Sequence, residues 1–194
     1  MIVITVPHAI PSNIREGRSY DLVAEQFANL LKANIPDATI IKSHQNRHDI
    51  LDDNRYHSNK NSKNYMTIKT SPLWEELRQK VKCNESVIVV DSHSFPKHSF
   101  IDTHLNAGKD YDIVILDYKP YQDVTIKLIK HLQTNRVVCK ITEGHIGSNS
   151  ILDVLTLHPC YVPTILLEVN ESLDTSKMQI IAKIVSDFLL VYYR

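Results

Sequence analysis

Short runs rich in valine and isoleucine recur along this chain, and longer segments with helical spacing separate most of them. This alternation predicts an α/β fold in which helices pack on a central sheet. The chain has 194 residues, about the length of one such domain, so we expect a single domain over residues 1–194. The polar, turn-prone segment 56–70 predicts a mobile loop. The predicted strands are 2–6, 39–42, 86–91, 112–116, 136–140 and 164–169, and the predicted helices are 21–33, 72–81, 121–132 and 177–192.

The charged residues balance, with 22 Lys and Arg against 22 Asp and Glu. A neutral chain has no long-range attraction for nucleic acid or a membrane surface, so we expect neither as a partner. Only four glycines are present, and neither common glycine-rich phosphate-binding motif occurs, which argues against a nucleotide site. The apolar start is interrupted by Pro7 and His8, so it predicts a first strand, and we expect a cytoplasmic protein.

The cysteines and serines give little support to a covalent mechanism. Cys83, Cys139 and Cys160 are widely spaced, form no CxxC pair and lie in no nucleophile motif. We expect these cysteines to be reduced and buried. No GxSxG turn is present for a serine nucleophile. A cysteine or serine hydrolase is therefore disfavoured.

Polar residues follow or interrupt three of the predicted strands. His8 comes after the first strand, His93 follows the strand 86–91, and Glu168 lies inside the apolar run ILLEV. In open α/β sheets, ligand sites usually lie at the carboxyl ends of the strands. A buried acid such as Glu168 is costly unless it meets a cation or an open cleft. These residues therefore predict a site that contains two imidazoles and a carboxylate.

Two histidines delivered to one site favour a metal. A catalytic zinc ion takes three nitrogen or oxygen ligands and leaves one position open. His8 and His93 supply two ligands, and the third would be an acid near His8, either Glu16 or Asp21. A single histidine is most often an ordinary hydrogen-bonded or surface residue, so the joint placement of the two carries this interpretation. Surface or loop roles are assigned to His98, His104 and His145.

Five stretches of the sequence match a known family in their order along the chain. They are VPHA at 6–9, Asp21 after RSY, NRHDILDDNR at 46–55, DSHSFP at 91–96 and ILLEVNESL at 165–173. On these residues the chain resembles the N-formylglutamate amidohydrolase family, which is similar in turn to the zinc carboxypeptidases. The resemblance implies a three-layer α/β sandwich with a central mixed β-sheet, of the phosphorylase/hydrolase-like kind found in zinc carboxypeptidases.

The resemblance also implies the metal ligands. The implied ligands of one zinc ion per chain are His8, Asp21 and His93. The carboxypeptidase pattern has a glutamate three residues after its first histidine, whereas this chain has Pro11 there, so Glu16 remains an alternative to Asp21. Asp91 would either accept a hydrogen bond from His93, fixing the tautomer of that ring, or cap the end of its strand.

The same resemblance implies how a substrate is held and cut. Asn54 and Arg55 match the pair that grips the substrate's carboxylate, and Arg47 is a second candidate for that pocket. An arginine fork suits a carboxylate because it donates to both oxygens. Glu168 matches the general base that takes a proton from the attacking water and returns it to the leaving amine. Asn149, in the stretch EGHIGSNSI, is a further candidate for substrate contact.

Together these implications define the expected activity. We expect a zinc-dependent hydrolase that cleaves an amide bond next to a free carboxylate, deacylating an N-acyl amino acid such as N-formylglutamate. The substrate would be a small molecule or a short peptide with a free carboxylate. The alternatives are a zinc carboxypeptidase or peptide amidase acting on short peptides, and a binding protein that keeps the fold without turnover.

Overall fold

The computed structural model describes residues 1–8, 21, 23–44, 72–81, 86–102, 108–143 and 162–193. Strands and helices are interspersed along these parts of the chain, as the sequence predicts. In chain order the elements are β1 (Ile2–Val6), α1 (Ala24–Asn34), β2 (Thr39–Lys42), α2 (Pro72–Lys80), β3 (Ile88–Phe95), β4 (Ile113–Asp117), α3 (Asp123–Thr134), β5 (Cys139–Glu143), β6 (Thr164–Asn170) and α4 (Thr175–Tyr192).

The six strands described above form one mixed sheet in the order β2-β1-β3-β6-β4-β5. Strands β1, β2, β3 and β6 run parallel to one another, whereas β4 pairs antiparallel with β6 and parallel with β5. The carboxyl ends of β1, β3 and β6 therefore meet at one edge of the sheet. The amino ends of β4 and β5 lie at the same edge.

Helices cover both faces of the sheet, so the predicted three-layer sandwich is confirmed. Because side chains alternate along a strand, each strand contributes to both faces. Val90 of β3 packs with Phe27 of α1 and Phe188 of α4 in the larger apolar core, to which α3 also contributes. Val89, which precedes Val90 in β3 and points to the opposite face, belongs to a second apolar core with Trp74 of α2. Thus α1, α3 and α4 form one outer layer and α2 belongs to the other.

The longest helix, α4, illustrates how the sequence produces these layers. Its first turn is capped by Asp174, whose carboxylate accepts a hydrogen bond from the Lys177 backbone N–H at 2.7 Å. Helical spacing puts its apolar residues on one side, and that side packs against α1 and α3. The buried residues of this side are Met178, Ile181, Ala182, Val185, Ser186, Phe188 and Leu189.

Strand β3 is longer than the sequence pattern suggests. The pattern ends the strand at residue 91, but the chain stays paired with β6 until Phe95 lies opposite Asn170. The four polar residues between these points, 91–94, are buried, and each side chain has a hydrogen-bond partner. A polar side chain with a partner can remain inside a sheet, so the polar run does not end the strand.

Helix α1 begins at Ala24, three residues later than predicted. Asp21 lies ahead of the helix because its backbone N–H donates to the carbonyl of His8 at 3.2 Å. Val23, with φ −116° and ψ 0°, occupies the position just before the first turn. The prediction that Asp21 opens the helix is therefore wrong, since this residue is held by the end of β1.

Strand β5 begins at Cys139 and not at residue 136. The backbone N–H of Val137 still donates to the carbonyl of Leu132 at the end of α3, at 3.1 Å. Arg136 has a positive φ of 61°, which is a common way for a chain to leave a helix. Arg136 and Val137 therefore terminate the helix, and the strand begins two residues later.

Several further predictions fall on particular residues. Cys139 is free and buried, as predicted, and its burial together with the negative charge of Asp112 raises the pKa of the thiol to about 12. Cys83, Cys160 and the predicted loop 56–70 lie outside the described residues. Among the helices in the described ranges, none is both long and apolar enough to span a membrane.

Candidate metal centre

One face of the sheet changes from apolar to polar along the strands. Val3 of β1 and Val89 of β3 pack in the core of α2 on this face. Two residues further along each strand, Thr5 lies opposite Asp91, so these side chains point to the same face. His93, another two residues along β3, extends the polar half of the face. The helix α2 thus covers the amino-terminal half, and the carboxyl-terminal half carries the polar groups.

His8, Asp21 and His93 bring their side chains together at this edge of the sheet. The Nδ1 atoms of His8 and His93 lie 3.3 and 3.0 Å from the same Asp21 oxygen, Oδ2. One ligand atom from each residue can be chosen so that all three lie within 4.8 Å of one another. Asp21 is 7% exposed and His93 is 8% exposed, so the cluster is largely shielded from solvent.

These distances suit a metal site. Nitrogen and oxygen ligands lie about 2.0–2.1 Å from a tetrahedral zinc ion, which separates the ligands from one another by roughly 3.3 Å. The two distances to the Asp21 oxygen, 3.0 and 3.3 Å, are close to that separation. Two imidazoles and one carboxylate are a donor set that divalent transition metals accept, and three protein ligands leave a coordination position open. The three residues therefore fit a divalent metal ion with an open coordination position.

The chain reaches this arrangement although His8 and Asp21 are 13 residues apart in sequence. The backbone bond from the Asp21 N–H to the His8 carbonyl brings the two residues side by side at the end of β1. Glu16, the alternative third ligand, lies outside the described residues. Among the described acids, Asp21 is the one that joins the two histidines in the candidate metal group.

Asp91 and Thr5 orient the His93 ring. The Nε2 atom of His93 lies 3.1 Å from Asp91 Oδ2, and the Thr5 hydroxyl donates to the other Asp91 oxygen at 2.6 Å. Asp91 is completely buried, so its carboxylate has a fixed position. In a neutral ring whose proton is on Nε2 and donated to Asp91, the Nδ1 lone pair would face the cluster and be available to a metal ion. Asp91 thus contacts His93 and does not cap the end of the strand.

Thr5 is not among the predicted site residues, although it is the one hydroxyl in the strand IVITV. A single polar residue in an otherwise apolar strand indicates a buried hydrogen bond, because a polar group in a fully buried strand needs a partner. Only the register between β1 and β3 identifies that partner as Asp91.

Burial and charge act in opposite directions on the ionisable groups of the cluster. Burial raises the pKa of Asp21, but the charges and hydrogen bonds of His8 and His93 outweigh it and hold this pKa well below its usual range. Burial lowers the pKa of His93, but Asp91 and Asp21 outweigh it and raise this pKa well above its usual value. A metal ion must displace a proton from His93 in order to bind. The affinity of the cluster for a metal ion should therefore fall as the pH falls.

Glu168 lies beside the cluster on the adjacent strand. It is half-buried on β6, and it pairs in register with His93 of β3 on one side and with Val114 of β4 on the other. Paired residues of neighbouring strands point to the same face, with backbones about 4.8 Å apart. The carboxylate therefore projects from the same face as His93.

The remaining predicted site residues are not in the described ranges. These are Arg47, Asn54, Arg55 and Asn149, so their contact with a substrate stays a prediction. His98 is half-exposed, with its Nδ1 atom 3.1 Å from Asp110, and it is not part of the candidate metal group. His104 and His145 also lie outside the described residues.

Comparisons with known proteins support the fold. No protein-family model matches the sequence, and no curated protein matches it. A solved gene product from Agrobacterium tumefaciens is similar in structure, with a TM-score of 0.65 and 15% identity over 98% of this chain and 88% of that chain. The N-formylglutamate amidohydrolase from Ralstonia eutropha JMP134 is also similar, with a TM-score of 0.58 and 12% identity over 100% of this chain and 94% of that chain. At these identities the likeness shows a shared α/β fold with a mixed central sheet.

Replacing His93 should remove a ligand while leaving the fold in place. We expect His93→Ala to weaken zinc binding by more than about a hundredfold. Loss of a residue that only hydrogen-bonds to a ligand already lowers metal affinity by about tenfold to a hundredfold, and loss of the ligand itself should cost more. Competition with a chromogenic zinc chelator measures this affinity. His98→Ala is the matched control, because His98 is a half-exposed histidine outside the cluster. Zinc affinity equal to that of the wild type in His93→Ala would contradict the site. Asp21→Ala and Glu16→Ala, measured in parallel, decide which acid completes it.

Proposed function

We propose that this protein is a zinc-dependent hydrolase that cleaves an amide bond next to a free carboxylate, with an N-acyl amino acid such as N-formylglutamate as its substrate. One observation carries the proposal. His8, Asp21 and His93 converge at the carboxyl edge of the sheet, directly beside the carboxylate-bearing residue Glu168. A ligand set with an open position next to an acid is the arrangement that metal-assisted hydrolysis requires.

The fold and the motifs support the proposal in different ways. The likeness to a solved N-formylglutamate amidohydrolase concerns the fold, and a fold alone does not determine chemistry. The chemical support comes from the residues in the motifs VPHA, DSHSFP and ILLEV, which contain His8, His93 and Glu168. These are the residues that the described structure brings to one edge of the sheet.

Zinc held by His8, Asp21 and His93 would polarise the substrate carbonyl and make water at the open position more acidic. The protein's own part is to keep the three ligands fixed. Asp91 and Thr5 hold the His93 ring, and the shielded cluster limits access of bulk water to the reacting groups.

Glu168 moves the proton. It accepts a proton from water as the water oxygen bonds to the carbonyl carbon, and it returns that proton to the nitrogen as the C–N bond breaks. The products are a carboxylic acid and an amine, so one carboxylate acts first as a base and then as an acid. Its half-buried position on β6, beside His93, suits this role because the carboxylate can meet both the site and solvent.

Arg55 and Asn54 hold the substrate's carboxylate, with Arg47 and Asn149 as further contacts. The chain is neutral overall, so an anionic substrate has to be recognised by a local cation. A guanidinium group donates two parallel hydrogen bonds to a carboxylate, and an amide adds another.

Glu168→Gln should separate catalysis from metal binding. Glutamine keeps the shape of the side chain but cannot accept the proton, so kcat should fall by about a hundredfold or more. Zinc affinity and KM should change little. Steady-state kinetics with N-formylglutamate and a zinc competition assay measure these quantities. If the role of Glu168 were only structural, Glu168→Gln would lower the melting temperature while kcat of the folded protein stayed near that of the wild type, and that result would exclude the proton transfer.

Arg55→Ala should weaken recognition of the substrate carboxylate. We expect kcat/KM to fall by about tenfold to a thousandfold, because a charge-assisted hydrogen bond to the substrate is lost. An amidated substrate provides the matched comparison. Amidation should reduce kcat/KM of the wild type to a similar extent and have little effect on Arg55→Ala. Equal losses in both proteins would place Arg55 outside the pocket.

A panel of N-acyl amino acids and short peptides, assayed for release of amine by the zinc-loaded protein, tests the reaction itself. Turnover of N-acyl amino acids in preference to peptides supports the proposal. Preferential cleavage of peptides would indicate a carboxypeptidase or peptide amidase. Tight zinc binding without turnover of any compound would indicate a binding protein and contradict the proposal.

A further inference from the structure

Strand β3 presents different chemistry on its two faces. Asp91 and His93 point to the face that carries the metal centre, whereas Ser92 and Ser94 point to the opposite face because side chains alternate along a strand. Both serines are buried, with exposed fractions of 0% and 4%. A buried hydroxyl is costly unless it forms hydrogen bonds, so the partners of these two serines are informative.

Each serine has one hydrogen-bond partner at the start of helix α1. The Ser92 hydroxyl donates to the carbonyl of Ala24 at 3.0 Å, and the Ser94 hydroxyl oxygen accepts a long hydrogen bond from the Val23 N–H at 3.4 Å. The hydroxyl proton of Ser94 is used elsewhere, since it is donated to Glu171 at 2.8 Å. Glu171 therefore orients Ser94 so that a lone pair faces Val23. We call Ser92 and Ser94 the serine clamp.

The serine clamp acts next to the third ligand of the metal centre. Val23 and Ala24 follow Asp21 by two and three residues. Val23 occupies the N-cap position of α1, and its side chain does not cap the helix with a hydrogen bond. The described backbone contact of Asp21 itself is the bond to the His8 carbonyl. The serine clamp adds hydrogen bonds to Val23 and Ala24, which follow Asp21 in the chain. The strand that carries His93 thus holds the segment that carries Asp21.

We propose that Ser92 and Ser94 are positioning residues that keep the Asp21 carboxylate at bonding distance from a metal ion shared with His8 and His93. This inference rests on the proposed function, because it takes Asp21 as a metal ligand. A metal–oxygen bond tolerates only a few tenths of an ångström of error, so a ligand on the segment before a helix needs such support. The sequence DSHS then serves the site from both faces of one strand.

The test measures zinc affinity, by chelator competition, in Ser92→Ala, Ser94→Ala and the double variant. The double variant should bind zinc about tenfold more weakly than the wild type, which is the range known for residues that orient a metal ligand. If the double variant fails to fold, the single variants carry the test. Ser186→Ala is the matched control, since Ser186 is a buried serine of α4 whose hydroxyl has no hydrogen-bond partner in the described parts of the chain. Its zinc affinity should equal that of the wild type.

A general loss of stability is distinguished from positioning by repeating the serine substitutions in Asp21→Ala. Without the carboxylate there is no ligand to position, so the serine substitutions should change zinc affinity by less than about twofold. A loss as large in Asp21→Ala as in the wild type, or folded serine variants with unchanged affinity, would overturn the positioning role alone. If Asp21→Ala itself bound zinc like the wild type, the proposed metal site would be wrong, and the positioning role with it.

Discussion

The buried carboxylate of Asp21, lying between the imidazoles of His8 and His93, is the interaction on which the rest of the site depends. A shielded carboxylate is stable only where positive charge and hydrogen bonds compensate for the lost water. Here both histidines contact the same oxygen, at 3.3 and 3.0 Å. Three separate segments of the chain must therefore meet at one point: the end of β1, the residues before α1 and the carboxyl-terminal half of β3. A divalent metal would supply the same compensation more strongly.

The mixed sheet explains how residues far apart in sequence reach that point. Strands β1, β3 and β6 are neighbours and run parallel, so their carboxyl halves deliver His8, His93 and Glu168 to one edge. On the face that carries His93, the apolar amino-terminal halves of β1 and β3 pack with α2, and the opposite face of the sheet is covered by α1, α3 and α4. The architecture thus supplies a rigid apolar base and leaves the polar half of one face for chemistry.

Much of this arrangement was predictable because apolar periodicity determines the elements and adjacent strands share an edge. The strands 2–6 and 39–42 are where the pattern puts them, and His8, Asp21 and His93 do come together. The length of β3 and the start of α1 were not predictable. Both depend on hydrogen bonds between distant segments, such as Ser92 to Ala24, which satisfy polar groups that otherwise indicate a loop. Thr5 was missed for the same reason.

The central claim is that His8, Asp21 and His93 share one metal ion, and a zinc-loaded crystal measured on both sides of the zinc absorption edge tests it most directly. The predicted result is one anomalous peak per chain, about 2.0–2.2 Å from His8 Nδ1, His93 Nδ1 and an Asp21 carboxylate oxygen, with a further position open to solvent. A zinc peak elsewhere, or a peak bound by only one of these residues, would contradict the claim.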